Sequence, residues 1–340
     1  MDLVQIEGLR IRFYADGDVV YAVNGIDLTV AEGQAVGIVG ESGSGKSVTV
    51  TSIPRLLPKT ARCEGRVRFD GIDVLNASAA QMRAIRGRSV GMIFQNPLAY
   101  LNPTRTIGSQ LMEPLLFHHL AGYQEARRRG LEMLERVGIQ NPAARFDNYP
   151  FEFSGGMLQR VLIATALIAA PKLVIADEPT TSLDVTVQAQ ILRLLKTMQR
   201  DLKMSMIFVT HDLAVAAQVS DTIYVMYGGT VVEQLNAADL IRAHRHPYLA
   251  GLLDSLPRLD RPVGRLPFIP GLPVDTRQPL AGCPFFDRCG VHTDDCHTLP
   301  ALTTVGPSHR VACWRVAGEL VVTDPTAKAG GLSGCIPESL

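Results

Sequence analysis

A single octapeptide constrains this chain more than any other feature. Gly40-Glu41-Ser42-Gly43-Ser44-Gly45-Lys46-Ser47 fits the pattern G-x-x-x-x-G-K-[ST] and follows without a break on the apolar run QAVGIVG at 34–40. A buried strand that runs straight into such a turn needs a helix after it, and Lys46 to Leu57, ahead of Pro58, is helix-compatible. Glycines at these positions let successive backbone N–H groups point inward, and the following helix N-terminus adds positive potential. The loop is therefore a cradle for a polyphosphate. Lys46 is placed to reach the outer phosphates, and the Ser47 hydroxyl to hold Mg²⁺.

The surroundings agree with an α/β sheet. Over the first ~235 residues short β-rich runs alternate with helical patterns. Strands are expected at Lys172–Asp177 (KLVIAD), Ser205–Thr210 (SMIFVT) and Thr222–Tyr227, the last closed by Gly228-Gly229. Val187, Ile191, Leu194, Leu195, Met198 and Leu202 recur at helical spacing between the first two. From about 97 to 170 helical patterns take over, including Tyr123–Val137, which reads as a helical subdomain inserted into the core. A polyphosphate site that hydrolyses also needs an acid for the metal and a base for water. Asp177 and Glu178, at the carboxyl end of the run LVIAD, supply both: Asp177 for Mg²⁺ and Glu178 to polarise the attacking water.

Composition narrows the partners. Lysine plus arginine equals aspartate plus glutamate, 33 against 33, so the basic excess of a nucleic-acid binder is missing and no such partner is expected. At 46% hydrophobic and 19% charged the chain is not disordered over its length. Its 340 residues are enough for two domains with cores of their own. The longest apolar stretch, Val161–Ala170, is half the ~20 residues that cross a bilayer. The start, MDLVQIEGLR, has no basic segment ahead of an apolar run, so no secretory signal is expected. Six cysteines are too sparse for a disulfide scaffold.

Phe153-Ser154-Gly155-Gly156-Met157-Leu158-Gln159-Arg160, 17 residues before Asp177, resembles the signature motif of ABC-type ATPases. Gln95 in FQNP is similar to that family's Q-loop, Ser182-Leu183-Asp184 to its D-loop, and His211 in VTHD to its switch histidine. The resemblance implies a RecA-like core with a β subdomain and an inserted helical subdomain. It also implies a head-to-tail dimer that sandwiches two ATP–Mg²⁺ between subunits. In such a dimer Ser154, Gly155, Gly156 and Asp184 serve the partner's nucleotide, His211 holds the γ-phosphate and orients Glu178, and Gln95 senses Mg²⁺. Gly40, Ser42, Gly43, Ser44, Gly45, Lys46 and Ser47 hold the chain's own phosphates. Phe13 is the expected adenine-stacking aromatic, with Tyr14 and Tyr21 as alternatives. Phe153 and Met157 depart from the commonest form of the signature, but Ser154 and both glycines are kept. Soluble ABC ATPases of ribosomes or DNA are disfavoured, since one P-loop is present and only 107 residues, without heptads, separate Lys46 from Ser154.

Beyond residue 240 the character changes. Seven of the 21 prolines fall between Pro257 and Pro284, a density that no helix or central strand survives. His246-Pro247-Tyr248, Gly271-Leu272-Pro273-Val274, Gly282-Cys283-Pro284-Phe285, Arg288-Cys289 and His309-Arg310-Val311-Ala312-Cys313 are similar to the C-terminal extension of ATPases that serve oligopeptide and dipeptide importers. Nickel and antimicrobial-peptide importers are close relatives. The expected organisation is a nucleotide-binding domain at 1–240, a loop-rich extension at 241–320 and a flexible tail at 321–340. Cys283, Cys289, Cys296 and Cys313 are separated by five, six and sixteen residues, without the close pairs of most zinc sites. Four thiolates in such a segment suit an iron–sulfur cluster, with zinc or metal-free thiols as the alternatives, and the resemblance implies [4Fe–4S]. Cys63 and Cys335 are expected to be free thiols, and His244 and His246 to lie in a surface loop or subunit contact. The family further implies a second ATPase subunit, a paralogue; two permease subunits; an extracytoplasmic peptide-binding protein; and a place at the cytoplasmic face of the membrane.

Overall fold

A computed structural model describes residues 1–15, 17–181, 183–256 and 267–319. Ser182, Cys335, the tail 321–340 and the start of the proline-dense stretch, 257–266, lie outside the described residues. Two fourteen-residue strands, β1 (Asp2–Ala15) and β2 (Asp18–Ala31), pair antiparallel. The next strand, β3 (Ala35–Val39), is buried at every position and leads through the glycine loop into α1 (Lys46–Ser52). That helix stops short of the Leu57 expected from sequence. Pro54 has no N–H to continue the ladder, so Ile53 bonds back to Val50 in a tighter turn and Arg55 takes a φ of 51°.

Strands β4 (Ala61–Phe69) and β5 (Ile72–Asp73) complete a four-stranded antiparallel sheet ordered β2-β1-β4-β5. Helix α2 (Ala79–Ile85), started by a Ser78–Gln81 capping box, precedes β6 (Val90–Ile93). Then come only helices: α3 (Pro97–Tyr100), α4 (Ile107–Phe117), α5 (Tyr123–Arg136), α6 (Pro142–Arg145) and α7 (Gly155–Leu167). The α/β alternation resumes with β7 (Leu173–Asp177), α8 (Val185–Leu202), β8 (Ser205–Thr210), α9 (Leu213–Val219) and β9 (Thr222–Tyr227). Strand β10 (Thr230–Asn236) returns antiparallel to β9 across the Gly228-Gly229 turn.

The second sheet has eight strands in the order β11-β12-β10-β9-β3-β8-β7-β6, in which β9, β3, β8, β7 and β6 run parallel. Its central strands are apolar without alternation because both faces are covered. On β7, Leu173 and Ile175 pack toward the antiparallel sheet while Val174 and Ala176 pack toward the helices. On β8, Ile207 and Val209 divide from Met206 and Phe208 in the same way. Among the described residues no helix is long and apolar enough to cross a membrane.

The chain after β10 stays attached to this sheet. Past α10 (Pro247–Asp254), the strands β11 (Thr303–Gly306) and β12 (His309–Val311) add to the edge of β10, and α11 (Trp314–Glu319) follows. One buried carboxylate fastens the assembly. Glu233 of β10, 0% exposed, accepts from the backbone N–H of Arg245 and of His246, and His309 Nε2 of β12 stands 2.8 Å from its Oε1. His246 is therefore not the surface residue expected. It is 1% exposed, caps α10 by accepting from Tyr248 N–H, and burial holds its imidazole down to about 3. Its neighbour His244 is half-buried and turns its Nδ1 to the Ile241 carbonyl.

Replacing Glu233 by Gln puts an amide donor where three donors converge. The expected loss is about 2–4 kcal/mol of unfolding free energy by urea titration, together with faster proteolysis after residue 240. A loss below about 0.5 kcal/mol, the size of an ordinary surface substitution, would remove Glu233 from this role.

Candidate functional site

In an open parallel sheet, ligands bind beyond the carboxyl ends of the strands, and the sequence-predicted site residues gather there. The glycine loop leaves β3, Gln95 follows β6, Asp177 ends β7 with Glu178 next, and His211 follows β8. Two glycines fix the loop. Gly40 has φ 150°, and a Cβ there would sit 2.1 Å from the Met226 carbonyl oxygen; at Gly45, φ 93°, it would sit 2.5 Å from that of Ala22. The loop thus needs bare backbone against β9 and β2 before it can present its N–H groups outward.

Lys46 is 5% exposed, with its Nζ donating to the carbonyls of Gly40 and Glu41, each at 2.8 Å. Burial lowers its pKa, opposed by the nearby carboxylates of Glu178, Asp177 and Glu41. Ser47 Oγ donates to Asp177 Oδ1 at 2.8 Å. Asp177 is itself raised, chiefly by burial and further by Glu178, while the Ser47 hydrogen bond and Lys46 act the other way. Two adjoining carboxylates with a hydroxyl between them and the loop are hard oxygen donors, the set Mg²⁺ takes alongside substrate phosphates.

Glu178 lies at the centre. Gln95 Nε2 donates to its Oε2 at 3.2 Å, Thr181 Oγ1 donates to the same oxygen at 2.9 Å, and His211 Nδ1 stands 3.6 Å from Oε1. Its backbone has φ 47°, an uncommon region for a non-glycine residue and one that recurs at functional sites. Phe13, Val20 and Ala22 wall the same cleft, about 420 Å³, together with Ser42–Val48, Gln95, Glu178 and Thr276. Of the three aromatics considered for adenine, Phe13 lines this cleft, whereas Tyr14 is exposed and Tyr21 lies under the Arg12 guanidinium, 5.6 Å from its ring centre. A flat aromatic wall, an inward-facing loop, a buried lysine and a carboxylate pair can bind a nucleoside triphosphate with its metal and activate water against it.

Ser154, Gly155 and Gly156 do not line that cleft. They start α7, where Ser154 Oγ accepts from Met157 N–H, and Gly155 borders a separate groove with Gln95, Leu98, Gln159 and Leu183. Asp184 caps α8 by accepting from Val187 N–H at 2.9 Å, and Val187 packs beside Gly156. The sequence reading missed the cleft walls Val20, Ala22 and Val48, and also Thr181, which bonds Glu178, and Thr276, which lines the cleft. Thr181 lies three positions beyond Glu178 across Pro179, and its only cue was a hydroxyl at that spacing. Thr276 comes from the proline-dense stretch, and nothing local marks it.

The four extension cysteines are free thiols that line one small cavity with Phe285, Phe286, Pro300 and Trp314. Burial pushes the Cys283 thiol up to about 11, and the other three cysteines push it the same way; Cys289 is also raised by burial. Among the described residues, however, no three His, Cys, Asp or Glu side chains stand together closely enough to hold a metal ion. Cys63 is free, half-buried and likewise raised by burial.

Comparison with known proteins agrees with this geometry. Residues 23–181 match the family described as ABC transporter, and residues 232–296 the one described as Oligopeptide/dipeptide transporter, C-terminal region. The chain is 46% identical to the probable peptide ABC transporter ATP-binding protein y4tR of Sinorhizobium fredii, covering 92% of this chain and 95% of that one. It is equally, 46%, identical to the dipeptide transport ATP-binding protein DppD of Bacillus subtilis, covering 92% and 94%. Among solved structures, a dimeric post-hydrolysis state of the ATP-binding cassette MJ0796, bound to ADP and Pi, superposes with a TM-score of 0.62 at 30% identity over 69% of this chain and 98% of that one.

Lys46→Ala removes the buried ammonium from the loop. The dissociation constant for a fluorescent Mg–ATP analogue is expected to rise at least tenfold, the loss of about 1.4 kcal/mol or more from charged hydrogen bonds. Unchanged binding would mean that phosphates go elsewhere.

Proposed function

The chain belongs to the ATP-binding subunits of ABC transporters, in the oligopeptide/dipeptide branch, and from that premise we propose that it is the ATP-hydrolysing, energy-coupling subunit of a peptide importer. The observation that carries the reading is the convergence on one cleft of the P-loop, the Asp177–Glu178 pair, Gln95 and His211. Within it Lys46 and Ser47 bind phosphate and Mg²⁺ with Asp177, Phe13 stacks on the base, Glu178 polarises water, and His211 and Gln95 hold Glu178 to its task.

The subunit pairs head to tail with a second ATPase, a paralogue, so that Ser154, Gly155, Gly156 and Asp184 close over the partner's nucleotide. The support for this is that Gly155 borders a groove other than the phosphate cleft, and that a similar cassette is dimeric with ADP and Pi bound. Two permease subunits and an extracytoplasmic peptide-binding protein complete the machine at the cytoplasmic face of the membrane. Leu98, Tyr100, Phe117, Tyr149 and Phe151 of the helical insertion are exposed apolar side chains that the permease can meet. Glu178→Gln in the reconstituted transporter is expected to keep ATP binding and lower hydrolysis and peptide uptake by about 10²-fold or more. Uptake that continues without hydrolysis would sink the energy-coupling role.

The four-cysteine cavity is read as the seat of a [4Fe–4S] cluster, supported by the Cys₄ donor set and its apolar walls. Cys283, Cys289, Cys296 and Cys313 would each supply one thiolate to it. Protein purified without oxygen is expected to carry about four irons and four sulfides per chain, most of them lost in Cys289→Ser. Zinc, or no metal, would exclude the cluster.

A further inference from the structure

The cysteine-bearing loop of the extension reaches the phosphate loop through one arginine. Arg288 lies between Cys283 and Cys289, and its side chain is 6% exposed. Its Nε donates to the Pro270 carbonyl at 3.1 Å and its Nη1 to Tyr227 Oη at 3.2 Å, while the rings of Tyr227 and Phe285 lie 5.6 and 5.9 Å from the guanidinium carbon. Held in this way, the guanidinium closes on the Glu41 carboxylate with two bonds, Nη1 to Oε2 at 2.7 Å and Nη2 to Oε1 at 3.1 Å. Such a fork is the strong, geometrically specific form of an ion pair.

Glu41 is the second residue of the P-loop. Its backbone N–H donates to the buried Tyr248 Oη at 2.9 Å, and its carbonyl accepts from Lys46 Nζ at 2.8 Å. A direct chain of contacts therefore runs from the cysteine loop through Arg288 and Glu41 to the phosphate-binding lysine. The same extension touches the base side of the cleft, where the Thr276 carbonyl accepts from Tyr21 N–H at 2.7 Å. The chemistry explains why the partner of Glu41 is a cation. The pattern leaves this position open to any residue, and a carboxylate beside a bound triphosphate repels it unless neutralised.

We propose that Arg288 is a positioning residue for the ATP site: it neutralises Glu41 and fixes the first turn of the P-loop, so that the extension sets nucleotide affinity. This rests on the reading of the cleft as the ATP site, and it makes the cysteine loop a structural input to that site rather than an appendage.

The test is a two-residue cycle on the full chain, read as the dissociation constant of a fluorescent Mg–ATP analogue. Arg288→Ala is expected to weaken binding about tenfold, within the range of coupled charged pairs. Adding Glu41→Ala should restore most of it, because the unpaired carboxylate is then gone; a purely architectural role for Arg288 would give no such rescue. In the assembled transporter the same variant should raise KM for ATP with kcat unchanged within about twofold, the mark of lost ground-state binding. If Arg288→Ala does not fold, Arg288→Gln, which keeps a donor for Pro270, enters the cycle in its place. Wild-type affinity in the folded arginine variant, or a defect that Glu41→Ala leaves untouched, overturns the proposal. A wild-type chain that binds no Mg–ATP overturns the ATP-site reading and this inference with it.

Discussion

The P-loop of this chain hangs from the carboxyl end of β3. That strand is covered on both faces and hydrogen-bonded on both edges, by β8 and β9, with all five residues buried. Such a strand cannot shift or fray, so the loop leaving it starts from a fixed point. The loop is then pressed so tightly against the backbone of Met226 and Ala22 that only hydrogen fits at Gly40 and Gly45. Close approach on the inner side leaves the other side of the loop, Ser42–Val48, to line the cleft, where a polyphosphate is the natural complement. The parallel order of the neighbours does the rest: the carboxyl ends of β6, β7 and β8 lie at the same edge of the sheet, so Gln95, Asp177, Glu178 and His211 arrive at one cleft although 116 positions separate the first from the last.

Much of this was legible in the sequence because it is written in local signals. A glycine pattern behind an apolar run, and an apolar run ended by two acids, each specify their own surroundings. The strands 172–177, 205–210 and 222–227 and the helix that became α8 were readable from periodicity and from uninterrupted apolar runs. Pro58 looks like the stop of α1, but the helix ends earlier because Pro54 already removes the needed donor. His246 is buried for a reason that no local signal carries. A histidine before a proline looks like loop, and only the distant Glu233, which gathers the backbone N–H groups of this turn, draws it into the interior. Thr276 and Arg288 were invisible as site residues, since their meaning comes from contacts 255 and 247 positions away, with Tyr21 and Glu41. No local pattern encodes such a pairing.

The extension illustrates how a segment with little regular structure is held. Between 267 and 302 the described chain has only two single-turn 3₁₀ helices, so few backbone groups are satisfied by ladders and the ordering entropy of that length is considerable. Side chains with several hydrogen-bonding atoms substitute for ladders. Glu233 takes three donors in the interior, Arg288 spends its nitrogens on two carbonyls, a phenol and a carboxylate, and β11 and β12 attach the far end to β10. Each anchor lies on or against β9, β10 or the loop after β3. The extension is consequently built onto the same sheet that carries the nucleotide cleft.

Glu178 concentrates the functional consequence. A non-glycine residue in the left-handed region costs of the order of 1 kcal/mol or more, and here it directly follows a buried strand whose position is not negotiable. Its N–H bonds to Val209 of β8, which holds the turn, and the reversed backbone sends the carboxylate to Gln95, Thr181 and His211 rather than onward along β7. Those three partners follow β6, β7 and β8 respectively. The placement of the carboxylate is therefore set jointly by three strand ends, one of which, through Gln95, leads directly into the helical insertion. A displacement of that insertion relative to the sheet changes the hydrogen bonding of Glu178 without touching the P-loop. The hydrogen bonding of Glu178 is thereby open to the position of the helical insertion, whereas the P-loop answers to β3 and, through Glu41, to Arg288 of the extension.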